Sequence, residues 1–374
     1  MKLNKNKFAK LTILFAAIIT LAFMGCDEGS ISVNEQEVQY RRQAQLTNVY
    51  KNGIAVLNIQ FIAETSSLNQ IARLFSESPT VTNLEATQAQ WVEVLKVWKN
   101  MELYNVGVIE DSFIHFEINR WPSNTETIDN FIASDETINE AFVTGNGSST
   151  KGISAIEYLL FSQETTTETL NTFTSTPNAA RQMQYLIALT ENLSTKAIEL
   201  EALWLGYETK FTNLLQNGLS GSQNQLANAM VTLSEQMVIR KLGNALGEAN
   251  GGVVDITALE NNRSKSSLLS LKENLQALSN CYTGNYGQGA ITLGFNDYLD
   301  LVGAEVLSDV IELSFEECTQ KLNAITGSLE NEIVVDTTKV LELQEALNEL
   351  EVLIKVDMSN AIGATVTVNS NDGD

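Results

Sequence analysis

RQMQYLIALTENLSTKAIELEALWLGYETKFTNLL, Arg181 to Leu215, carries apolar residues at Leu186, Leu189, Leu193, Ala197, Leu200, Trp204, Tyr207, Phe211 and Leu214. The spacings are three and four throughout, the period of one buried helix face, and no proline interrupts them. A helix this long hides its stripe only against other helices, so the stretch predicts a helical bundle. The same period runs through Trp91, Val94, Trp98, Met101 and Asn105, and through Val340, Leu343, Leu347, Leu350 and Ile354. Further helices are expected at about 35–76, 222–247, 266–281 and 303–328. Pro79, Pro122 and Pro177 all fall between periodic segments, where proline costs no helical hydrogen bond. The chain therefore reads as all-α, with loops at 145–150, at Gly251 and Gly252, and at 284–294, and a short extended tail beginning at Thr365.

The N-terminus has four lysines in its first ten residues, an apolar stretch from Leu11 to Met24, then Gly25 and Cys26. That stretch is too short for a membrane span of ~20 residues and has the layout of an export signal. Cys26 after glycine is the expected lipidation site of a bacterial lipoprotein, and Asp27 and Glu28 resemble surface-export signals of some such proteins. The expected division is a lipoprotein-type signal peptide at 1–25, a tether at 26–37, an N-terminal bundle at 38–177 and a C-terminal bundle at 178–374. The expected location is the cell envelope, lipid-anchored to the outer membrane on its periplasmic or outer face.

Loss of the signal peptide, with four lysines and no acids, deepens the formal net charge from −23 to −27. Such a surface repels phosphate backbones, which excludes nucleic acid as a partner. Cys281 and Cys318 read as buried thiols or as a disulfide pair; sequence leaves the choice open.

Between the N-terminal helices and the long one lies KGISAIEYLLF, Lys151 to Phe161. With Trp91–Tyr104 (WVEVLKVWKNMELY), Arg120–Ile128 (RWPSNTETI), Ser264–Leu278 with its Asn274, and the C-terminal Leu353–Asp374, this run resembles the imelysin family, whose motif is GxHxxE. Gly152 and Glu157 match, and Ser154 stands at the histidine position. The resemblance implies two helical bundles with the motif helix close to the cleft between them, and a family with a peptidase name that includes iron-regulated envelope proteins.

Residues i and i+3 share a helix face, so a histidine and a glutamate there would address one cation; serine offers only a weak neutral oxygen. Ser154 is expected to donate to Glu157 instead. Glu157, on an apolar helix, needs a cation, an arginine or hydrogen-bond donors. Glu102 and Asp111 would add oxygen ligands suited to Ca²⁺, Mg²⁺ or Fe³⁺. His115, the single histidine, could restore an imidazole to that metal site, while the lack of a second histidine rules out an HExxH zinc-hydrolase site. The reading is a non-catalytic protein that binds a ligand, a metal or a metal complex in the cleft and is linked to iron uptake. The alternatives are a metal-dependent peptidase and a surface interaction protein with a vestigial site.

Overall fold

A computed structural model of the protein describes residues 35–287 and 292–367. The expected signal peptide, Cys26 and the acidic tail 369–374 lie outside the described residues.

Nine of the helices among the described residues build and position the site. α1 (Glu35–Asn48) continues through a π-helical turn, Val49–Ile54, into α2 (Ala55–Glu77). α3 (Val81–Met101) starts after Pro79 on a Thr80 cap, whose hydroxyl accepts from the Asn83 amide at 3.2 Å. Then come α4 (Gly152–Leu160), α5 (Ala179–Asn213), α6 (Ser222–Glu235), α7 (Ser267–Thr283), α8 (Glu305–Ala324) and α9 (Thr338–Val352). No strand occurs among the described residues; the one β-like contact is an antiparallel bridge between Asn119 and Gly152.

α5 is the predicted long helix, 35 residues and about 50 Å at 1.5 Å per residue. Every stripe residue from Leu186 to Phe211 is buried, and Leu214 is half-buried just beyond the helix end. α5 packs along α2, α2 along α3, and α4 fills the space between α3 and α5. The second group is α6 to α9, with α8 on α9, α6 on α9, and α7 bridging from α8 to α3. The expected boundary at 177/178 falls before α5; α5 is the main packing partner of α2, and the chain passes to the second group of helices in the loop 214–221. A linker and an inter-helix turn have the same composition, and only the contacts tell them apart.

The tail is held by side chains of α6. Asn224 accepts from the Thr365 amide at 2.7 Å and donates to its carbonyl at 3.0 Å. Asn228 donates to the same carbonyl at 2.9 Å and accepts from the Thr367 amide at 2.8 Å. Four residues of helix rise about 6 Å and two of extended chain slightly more, so paired amides on one helix face can stand in for a strand edge. Cys281 and Cys318 are buried and unpaired.

Gly152 opens α4 at φ +76°, and a Cβ added there would lie 2.1 Å from the Ile118 carbonyl oxygen. Both the backbone conformation and the close approach of 118–119 require glycine. Gly152→Ala is therefore expected to lower the unfolding free energy by about 2 kcal/mol or more, read from urea denaturation midpoints; an unchanged midpoint would show that the bridge carries no strain.

Candidate functional site

The positions that sequence marked and the groups that form the site differ by one layer. α4 is buried almost completely, and Trp91 on α3 fixes it by donating Nε1–H to the Ile153 carbonyl at 3.0 Å. Ser154 does not donate to Glu157 as expected. Its Oγ lies 2.7 Å from Asn119 Oδ1, because the bridge at Gly152 brings Asn119 alongside the first turn of α4. Asn119 in turn donates to Glu260 Oε1 at 3.2 Å.

Among the described residues Glu157 has no cationic partner. Oε1 accepts from the Ser264 amide at 3.0 Å and its hydroxyl at 2.7 Å, and Oε2 accepts from Asn261 Nδ2 at 3.3 Å. Burial raises the Glu157 carboxyl above its ordinary range against the opposing pull of these donors. The bonds clamp the turn 260–266, where Asn261 and Lys265 sit at positive φ and Ser270 donates to Asn261 Oδ1 at 2.8 Å. The residue this turn presents is Glu260. Both polar side chains of the motif thus act on one carboxylate, Ser154 through Asn119 and Glu157 through the turn.

Glu260 belongs to a buried quartet. Lys99 on α3 bonds to Glu260 and, at 2.5 Å, to Glu102 Oε1. Lys241, on the π-helical segment Gln236–Gly243 that extends α6, lies 2.9 Å from Glu102 Oε2 and 3.0 Å from Glu260 Oε2. Asn274 on α7 accepts from Lys241 at 2.6 Å and donates to Glu102 at 2.9 Å and to the Lys99 carbonyl at 2.7 Å. Two positive and two negative groups alternate, so the quartet is neutral overall. Each ion therefore has close counter-ions in return for its lost hydration. Burial alone would raise the Glu260 carboxyl, but Lys241 and Lys99 hold it down at about 2. The same lysines hold Glu102 below its usual range against burial. Burial would lower Lys241; Glu102 and Glu260 outweigh it and raise the ammonium well above its usual value.

Above the quartet opens a cavity of about 1060 Å³. Glu102, Lys241, Glu260 and Asn119 line it, with Trp98, Tyr104, Phe116, Trp121 and Trp204 as aromatic wall, while Gly152, Ser154 and Glu157 do not. Glu102 keeps 18% of its side-chain surface exposed. Asp111, exposed on the short helix Val108–Asp111, and His115, on Ile114–Ile118, also line the cavity. Burial, with help from Arg120, pushes the His115 imidazole down to about 4, so it is neutral at pH 7. Its Nδ1 is buried without a hydrogen-bond partner.

The residues do not fit the expected cation site. The oxygens of Glu102 are taken by two ammonium groups and an amide, those of Glu157 by neutral donors behind the wall, and a cation at Glu102 would meet the charge of Lys99 and Lys241. Among the described residues no three His, Cys, Asp or Glu side chains gather so as to hold a metal ion. Sequence reasoning missed Glu260, Lys99, Lys241 and Asn119. Lys99 left a trace, one helical turn after Leu95 on the buried face of α3; Glu260 sits in a turn with no periodicity to flag it.

The quartet sets an acid dependence. A depressed carboxylate contributes stability above its unfolded-state value, near 4.5 for Glu260, and that contribution is lost as pH falls toward about 2. Glu260→Gln, which leaves two buried ammonium groups with one carboxylate, is expected to cost about 3–5 kcal/mol at pH 7 and to flatten the acid limb of stability below pH 4.5. Chemical denaturation from pH 7 to pH 3 checks both; an unchanged acid limb would remove Glu260 from this role.

The family model described as imelysin matches residues 60–356, most of the 374-residue chain. No curated protein matches. Two solved structures are similar at 17% identity, which shows the fold alone. One is an imelysin-like protein from Psychrobacter arcticum 273-4, with TM-score 0.69 over 88% of this chain and 98% of that one. The other, from Parabacteroides distasonis ATCC 8503, is assigned as an iron-regulated protein A precursor, with TM-score 0.71 over 86% of this chain and 95% of that one.

Proposed function

The chain belongs to the imelysin family, and we propose that it is a non-catalytic binding protein of the cell envelope whose ligand occupies the cavity above the quartet. The observation that carries this reading is a preformed 1060 Å³ space with aromatic walls and a polar floor whose charges already satisfy one another. Such a floor presents fixed hydrogen-bonding edges to a molecule without needing that molecule to neutralise it. It is a poor base: a carboxylate held below its usual range by two lysines, or an imidazole held at about 4, takes a proton weakly at neutral pH. The carboxyl pushed upward, Glu157, lies behind the wall. These features favour binding over metal-dependent proteolysis.

The iron-regulated name of the Parabacteroides relative makes a metal complex the first ligand to try. The site favours a complex, whose own donors enclose the metal, over a bare ion that would have to compete with Lys99 and Lys241. Titration of Fe³⁺, Zn²⁺ and Ca²⁺ is expected to show no stoichiometric binding that Glu157→Ala abolishes, whereas a ferric complex of an aromatic ligand with at most one net negative charge should quench the cavity tryptophans saturably. Chelator-sensitive cleavage of an unfolded protein substrate would overturn the reading in favour of a peptidase.

The envelope location rests on the N-terminal residues, with Cys26 as the lipid-bearing residue; among the described residues no helix is long and apolar enough to cross a membrane. Cys26→Ser is expected to move the protein from the membrane fraction to the soluble fraction on cell lysis. Retention of that variant in the membrane fraction would refute lipid tethering at this residue.

A further inference from the structure

Two guanidinium groups at the cavity take no part in the quartet. Arg120 is exposed at the cavity edge, its Cζ 4.5 Å from the ring centroid of Phe116. Arg240 is half-buried on the π-helical segment of the second group, its Cζ 5.3 Å from the ring of Trp121 in the first. Both line the cavity, and neither forms an ion pair among the described residues. Two other arginines behave differently. Buried Arg42 bonds to Gln223 and Tyr298, and half-buried Arg181 to the carbonyls of Ile132, Phe131 and Glu136. Stacking on an aromatic face positions a guanidinium while leaving its in-plane N–H donors free.

We propose that Arg120 and Arg240 form the recognition end of the cavity for an amphipathic organic anion, a single oxyanion group carried on a flat apolar body. The inference rests on the reading of the cavity as a binding site and names the class of molecule it takes. The oxyanion would receive paired N–H donors from the two guanidiniums, one from each group of helices. The body would lie against Trp121 and Trp98, where burial of apolar surface supplies the affinity. A polyanion is disfavoured by the chain's net charge of −23, and a second anionic group by Glu110 and Asp111, which line the cavity on the turn beside Tyr207.

Anilinonaphthalene sulfonate and phenylnaphthylamine test this directly, since they share an aromatic body and differ by one sulfonate. Both are expected to bind one-to-one with fluorescence enhancement, the sulfonate roughly tenfold more tightly or better. Arg120→Gln with Arg240→Gln should remove most of that advantage and leave the uncharged probe unchanged, and Arg120→Gln alone, at an exposed position, should remove part of it. Circular dichroism establishes that the variants are folded. Equal affinity of the wild type for the two probes, each weakened by Trp121→Ala, would overturn the anion assignment and leave the cavity reading intact. Absence of saturable binding by either probe would overturn both.

Discussion

The constraint on which the rest of the structure depends is that Lys99, Glu102, Lys241 and Glu260 must be buried together. Lys99 and Glu102 come from the end of α3, Lys241 from the π-helical extension of α6, and Glu260 from the turn before α7. Removing one member strands a charge in a medium that solvates it poorly, so the four positions require one another. That requirement fixes how the second group of helices sits on α3. Asn274, which bonds to two of the four side chains and to the α3 backbone, ties α7 to the same point.

The motif helix serves this cluster from behind. Gly152 lets 118–119 approach, Ser154 orients Asn119, and Glu157 holds the turn that delivers Glu260. At position 154 the structure needs a group that donates one hydrogen bond to Asn119, and a hydroxyl does so at 2.7 Å. The substitution of serine for histidine is thus compatible with an intact site, because the site's charges lie elsewhere. A carboxylate that accepts three donors and meets no cation is a structural brace, and the same sequence spacing that suits a metal pair also suits that role.

Helix type and order were legible because they depend on local periodicity. The stripe on α5 and the position of all three prolines required no knowledge of distant contacts. Which helices α5 packs against was not legible, since that depends on contacts between segments distant in sequence. Glu102, on the aromatic helix, lines the cavity, and its oxygens are occupied by two lysines 3 and 139 residues away in the chain, the second of which no local pattern reveals. Glu260 was invisible for a similar reason: a charged residue in a polar turn looks solvated until tertiary structure buries it. The π-helical widening at 236–243, which lets Lys241 reach the quartet while its neighbour Arg240 stacks on Trp121, leaves no clear mark in composition.

The tail at Thr365–Thr367 is gripped through its backbone amides and carbonyl by Asn224 and Asn228. The Thr367 hydroxyl adds a side-chain bond to Asn228 Oδ1 at 3.0 Å. Most of the grip is on the backbone, so the two asparagines carry more of the attachment than any one residue of the tail. Because Thr367 also forms part of the cavity lining, the same grip that seats the end of the described chain sets the position of one edge of the cavity.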